Sequence, residues 1–99
     1  MKVGLSSKGK LCIPKEIHDR FGWNSDEQLI LYHNLNKERI EFAEPDEDSN
    51  DCYMFYNMNL KDGAFTMPEQ LRNESKEYFI VMNAKGKLFI YFKEVKVFA

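Results

Sequence analysis

Two nine-residue stretches of this chain carry the same pattern 54 positions apart, Gly9 against Gly63. Gly9-Lys10-Leu11-Cys12-Ile13-Pro14-Lys15-Glu16-Ile17 reads glycine, any, apolar, any, apolar, proline, any, any, apolar. Gly63-Ala64-Phe65-Thr66-Met67-Pro68-Glu69-Gln70-Leu71 repeats it with every class in register. A unit used twice in 99 residues constrains the fold more than composition does, because each copy needs somewhere to bury its apolar side. The flanks carry the match further. Met1, Val3 and Leu5 alternate with small or polar residues, as do Met54, Tyr56, Met58 and Leu60. Downstream, Leu29-Ile30-Leu31-Tyr32 is set against Phe79-Ile80-Val81-Met82, and Ile40 and Phe42 against Ile90 and Phe92.

At this length the chain is one joint domain, or two half-domains each too small for a secure core of its own. The expected division is residues 1–43, an acidic linker over 44–51, and residues 52–99. A content of 43% apolar and 30% charged residues is globular. No apolar run reaches the roughly 18 residues of a membrane span. No basic-then-apolar leader opens the sequence, so a cytoplasmic location and no membrane partner are expected. Cys12 and Cys52 lie in strand-like segments with no CxxC spacing, which fits a reducing compartment.

Local signals give β-β-α-β-β twice. Residues 2–6 alternate as a strand, the Lys8-Gly9-Lys10 turn leads into a strand over Lys10–Ile13, and Pro14 suits a helix's first turn. Ile17 and Phe21 then share one face of a helix over Lys15–Phe21, and Gly22 ends it. Strands follow at Gln28–Tyr32 and Arg39–Phe42, with a polar turn from His33 to Lys37. The second copy reads Cys52–Leu60, Ala64–Met67, a short helix after Pro68, Tyr78–Met82 and Lys87–Phe92, and Val95–Phe98 still alternates. The expected class is mostly β with two short helices.

A strand, a glycine turn followed by a basic residue, a strand, a proline-initiated helix and a hairpin together resemble the AbrB/MazE/SpoVT swapped-hairpin family. The residues carrying this are Gly9, Lys10, Leu11, Ile13, Pro14, Ile17, Phe21 and Gly22, then Gly63, Phe65, Met67, Pro68 and Leu71. Two copies in one chain look most like the MraZ subgroup. The resemblance implies a pseudo-two-fold β-barrel of two ββαββ units and a bacterial or phage transcriptional regulator or antitoxin. It also implies duplex DNA contacted by basic residues at the glycine turn and short helix. Carried over, the position after the glycine is Lys10 and the helix positions are His18 and Asp19, with Arg72 and Asn73 in the second copy. Lys8, Lys15 and Arg20, cations of the same turn and helix, complete an expected contact set of Lys8, Lys10, Lys15, His18, Arg20 and Arg72. The chain departs from the family pattern where arginines are usual: Lys10 keeps charge but not the fork, Ala64 keeps neither, and His18 and Asp19 occupy the helix positions.

Charge opposes that reading in part. The net charge is −2, whereas proteins held on nucleic acid by charge alone carry a basic surplus. Residues 1–20 hold five Lys/Arg against two acids, while residues 41–51 hold six acids and no Lys or Arg. Two histidines far apart, no metal-ligand spacing and no phosphate-cradling loop leave no catalytic site and no cofactor to assign. Cys12 reads as a small core or half-core residue and His33 as a solvated turn residue. Most of the fourteen aromatics fall at alternating core positions; Tyr53, Phe55, Tyr91 and Phe98 are the exceptions, and with Met54, Tyr56, Met58 and Leu60 inward, Tyr53 and Phe55 point outward to a partner surface. The expected partner is therefore double-stranded DNA. The alternative is a non-enzymatic protein-interaction module, antitoxin-like or assembling with copies of itself.

Overall fold

The computed structural model describes residues 1–95. The first copy forms β1 (Lys2–Gly4), β2 (Lys10–Cys12), helix α1 (Lys15–Phe21), β3 (Glu27–Asn34) and β4 (Arg39–Glu41). The second forms β5 (Tyr53–Leu60), β6 (Ala64–Thr66), a single 3-10 turn (Glu69–Leu71), β7 (Glu77–Met82) and β8 (Leu88–Tyr91). Each predicted strand is present within a few residues. The expected continuation of alternation over Val95–Phe98 falls largely outside the described residues, and Glu94 and Val95 are not in a strand.

Pairing runs between the copies. The main sheet has six strands in the order β1-β7-β8-β4-β3-β5, and β2 and β6 make a separate two-stranded sheet. Each copy's first strand thus lies beside the other copy's third: β1 on β7, β5 on β3. The second strands meet with Leu11 opposite Phe65, its counterpart in the repeat. The fourth strands meet with Ile40 opposite Ile90, again counterparts. An approximate dyad passes through both pairs. The two sheets do not close into a barrel.

One core fills the space between them. Leu11, Ile13, Ile17, Leu31 and Ile40 from the first copy pack with Phe65, Met67, Leu71, Tyr78 and Ile90 from the second. Strand parity puts all but Ile17 and Leu71 inward, since successive side chains of a strand alternate between faces, while those two sit on the segments after the prolines. Parity also corrects one match made from sequence. Ile30 is 45% exposed whereas Ile80 is 5% exposed, so the two cannot be counterparts. Tyr56 faces Leu31 and Val3 faces Tyr78, which makes Tyr78 the residue in Leu31's place.

The two expected helices come out differently. Pro14 and Pro68 both enter with nearly the same backbone, φ −55° and −53°. After Pro14, Ile17 and Phe21 supply an apolar face for two turns, and Gly22 closes the helix at φ 67° in the left-handed region. After Pro68 nothing apolar follows Leu71 until Tyr78. The Tyr78 hydroxyl donates to the Leu71 carbonyl at 2.8 Å and accepts the Asn73 amide at 3.1 Å, ending the turn there.

Candidate functional site

The glycine turns and the segments after the prolines, which carry the predicted contacts, are interlocked across the dyad. Gly9 and Gly63 both adopt left-handed backbone, φ 76° and 78°, which reverses the chain tightly between strands. The Gly9 carbonyl accepts the Met67 amide at 2.9 Å, and the Gly63 carbonyl accepts the Ile13 amide at 3.1 Å. These are the same bond twice, because Ile13 and Met67 are counterparts. Each turn is therefore fastened to the strand end of the other copy.

Each turn also receives one side chain from the other copy, and here the halves diverge. His18 lies against Gly63, its Nε2 3.2 Å from the Gly63 carbonyl oxygen. It is 8% exposed and meets Trp23 edge-on at 5.8 Å. The expected DNA contact at His18 is thus corrected: its ring is spent inside, bracing the second turn. Arg72, its counterpart, lies against Gly9. Its Nε donates to the Met67 carbonyl at 3.0 Å, and a methyl group on Gly9 would meet the guanidinium carbon at 2.5 Å. Arg72 remains exposed, as do Lys8 and Lys10 on the turn beneath it.

Three cations therefore surround Gly9: Lys8, Lys10 and Arg72. Around Gly63 the counterparts are Asp62, Ala64 and the buried His18. Of the two turns related by the repeat, only the first is cationic. Ser6 holds it in shape, its Oγ accepting the amides of Lys8 and Lys10 at 3.3 and 3.1 Å. Lys15 and Arg20 are exposed on α1, which packs by the second turn, and Arg20 reaches toward the β7–β8 turn at Gly86. The structure thus separates them from the Gly9 cluster. Among the described residues no ion pair involves Lys8, Lys10, Lys15, Arg20 or Arg72.

A second polar constellation has no counterpart in the sequence reading. Asn34, fully buried, donates from Nδ2 to Glu41 and Asp51, both at 2.9 Å. Its Oδ1 accepts the amides of Asn36 and Lys37, shaping the β3–β4 turn. Arg39 pairs with Glu41 at 2.9 Å, donates to the Tyr91 hydroxyl and stacks on Phe89 at 3.8 Å. Burial disfavours the Arg39 charge, but the Tyr91 and Glu41 hydrogen bonds outweigh it and hold the guanidinium above its ordinary pKa. The hydrogen bond from Asn34, helped by Lys37, holds the Asp51 carboxyl below the usual range. So the last acid of the linker is a tether to the first hairpin rather than part of a free run. A cavity of about 270 Å³ lies beside this network, bordered by Trp23, Phe42, Phe89 and the linker.

Three further expectations are corrected. Cys12 is exposed on the outer side of β2, not in the core. His33 belongs to β3, and burial lowers its pKa, so it is not a solvated turn residue. Of the four excepted aromatics, Phe55 is 66% exposed, Tyr53 and Tyr91 are half-buried in the polar network, and Phe98 lies outside the described residues. No helix among the described residues is long and apolar enough to cross a membrane, and none of their acidic, histidine and cysteine side chains cluster to hold a metal. No family model matches the chain, and neither does any curated protein or solved structure.

Proposed function

We propose that this chain is a tandem swapped-hairpin protein, an opened form of that barrel, and that it binds duplex DNA through its first glycine turn. The observation that carries this is Arg72 laid over Gly9 beside Lys8 and Lys10, all three exposed and free of acidic partners. A glycine turn lets backbone amides come close to phosphate, and two lysines supply point charges beside them. Arg72 spends only Nε on the Met67 carbonyl, which leaves its terminal nitrogens for a phosphate or a guanine edge. Lys15, on the helix beside the second turn, lies outside the set, as do Arg20 and His18.

The footprint is one-sided, which accounts for a net charge of −2 in a protein that meets a polyanion. Mobility shift with a random-sequence duplex at low salt tests the reading. The chain should retard the duplex, and Lys10→Ala should weaken the shift with its circular dichroism unchanged. A duplex left unshifted by the folded wild type overturns the proposal. The alternative, a protein-interaction module, is favoured by Phe55 and Met54, which are 66% and 49% exposed.

A further inference from the structure

The two copies differ most where their first strands sit, at opposite edges of the six-stranded sheet. A sheet edge presents unpaired amides and carbonyls that template another strand, and proteins blunt edges with short strands, charge, proline or bulges. The β1 edge is blunted: three residues, with Lys2 on it and Gly4 closing it. The β5 edge is not. It runs for eight residues, Tyr-Met-Phe-Tyr-Asn-Met-Asn-Leu, with no charge, proline or glycine, and among the described residues it pairs along one side only, with β3. Phe55 and Met54 stand exposed on it, and Phe55 meets Tyr32 edge-on at 5.2 Å.

From this asymmetry we propose that β5 is an assembly edge occupied by β5 of a second copy of this chain, antiparallel about a two-fold axis at Tyr56. The register follows from charge. The ionised residues nearest the strand's ends are Asp51 before it, which also pairs with Lys37 at 3.6 Å, and Lys61 and Asp62 after it. With Tyr56 opposite its own copy, Asp51 of each chain falls opposite Lys61 of the other, twice over. That register also sets Phe55 opposite Asn57 of the other copy, on the outward face. Asp51 and Lys61 thus make the strand ends complementary in charge, and the paired sheet would run continuously through twelve strands.

Light scattering after size exclusion tests this with four chains. Wild type should give twice 11.7 kDa. The double variant F55K/N57K places lysine opposite lysine at both cross-strand positions and should return the chain to 11.7 kDa. F55E/N57K places glutamate opposite lysine at the same positions and should restore the dimer. It also controls for folding, since it is as polar as the first variant. Y56C in a C12S/C52S background should cross-link to itself under mild oxidation. A monomeric wild type overturns the proposal, as does a dimer that F55K/N57K leaves intact. None of these outcomes depends on DNA binding, because the Gly9 cluster is untouched.

Discussion

At the scale of single residues, Gly9 and Gly22 separate two kinds of glycine requirement. Both have left-handed backbone, φ 76° and 67°, and alanine there costs about 1–2 kcal/mol in either case. A methyl group at Gly22 enters open space, whereas at Gly9 it strikes the Arg72 guanidinium. Arg72 is flexible and will swing away, so the two variants should lose similar stability in urea titrations. Only Gly9→Ala should also weaken DNA binding. Asn34 is the residue whose loss is felt most in the polar network. Asn34→Ala leaves Glu41 and Asp51 without their shared donor and should cost about 2–4 kcal/mol, read from the urea midpoint. Acid acts through two groups of like sign. His33 is held below its ordinary pKa by burial, so the unfolded chain takes up its proton first and stability falls as pH drops below about 6.5. Asp51, depressed by the Asn34 hydrogen bond, adds stability present above about pH 3.9 and lost as pH falls further. Thermal melts from pH 8 to 3 should decline in those two windows, and replacing His33 with glutamine should flatten the first. Gly9, Pro14 and Gly22 were legible in the sequence because backbone geometry alone dictates them. The burial of His18 and Asn34 was not, because it depends on partners 45 and 17 positions away.

At the scale of elements, alternation located every strand, since an inward face is written into the chain at a period of two. Which strands pair was legible only through the repeat: a copy that cannot bury its own face must exchange strands with its twin. The second helix was not legible, because proline marks where a helix starts but only a sustained apolar face keeps it going. The crossing of β2 and β6 is the element-level test of the exchange. Leu11 and Phe65 face each other there, both essentially unexposed. Leu11→Ala should cost about 2–5 kcal/mol and Phe65→Ala about 3–5 kcal/mol. The double variant should fall short of the sum, since the residues share one cavity. Strict additivity in chemical denaturation would mean that the two strands do not pack against each other.

At the scale of the whole molecule, an architecture shared between halves carries a cluster of cations that is not shared. Among the described residues, every pairing between named strands except the β3–β4 and β7–β8 hairpins crosses from one copy to the other, so residues 1–43 alone should lack cooperative unfolding by circular dichroism. The dyad that builds the core has been left with cations at one turn and an acid, an alanine and a buried histidine at the other. The resemblance pointed to the glycine turn, but the sequence could not show that Arg72 of one copy serves the turn of the other. The role of Arg72 in that crossing is measured most directly by duplex affinity against salt concentration for wild type, K10Q and R72Q. Three phosphate contacts give log K a slope of about −2.7 against log salt for wild type, and each variant should flatten it by about 0.9. An R72Q slope equal to that of wild type, with the fold intact, would contradict the account.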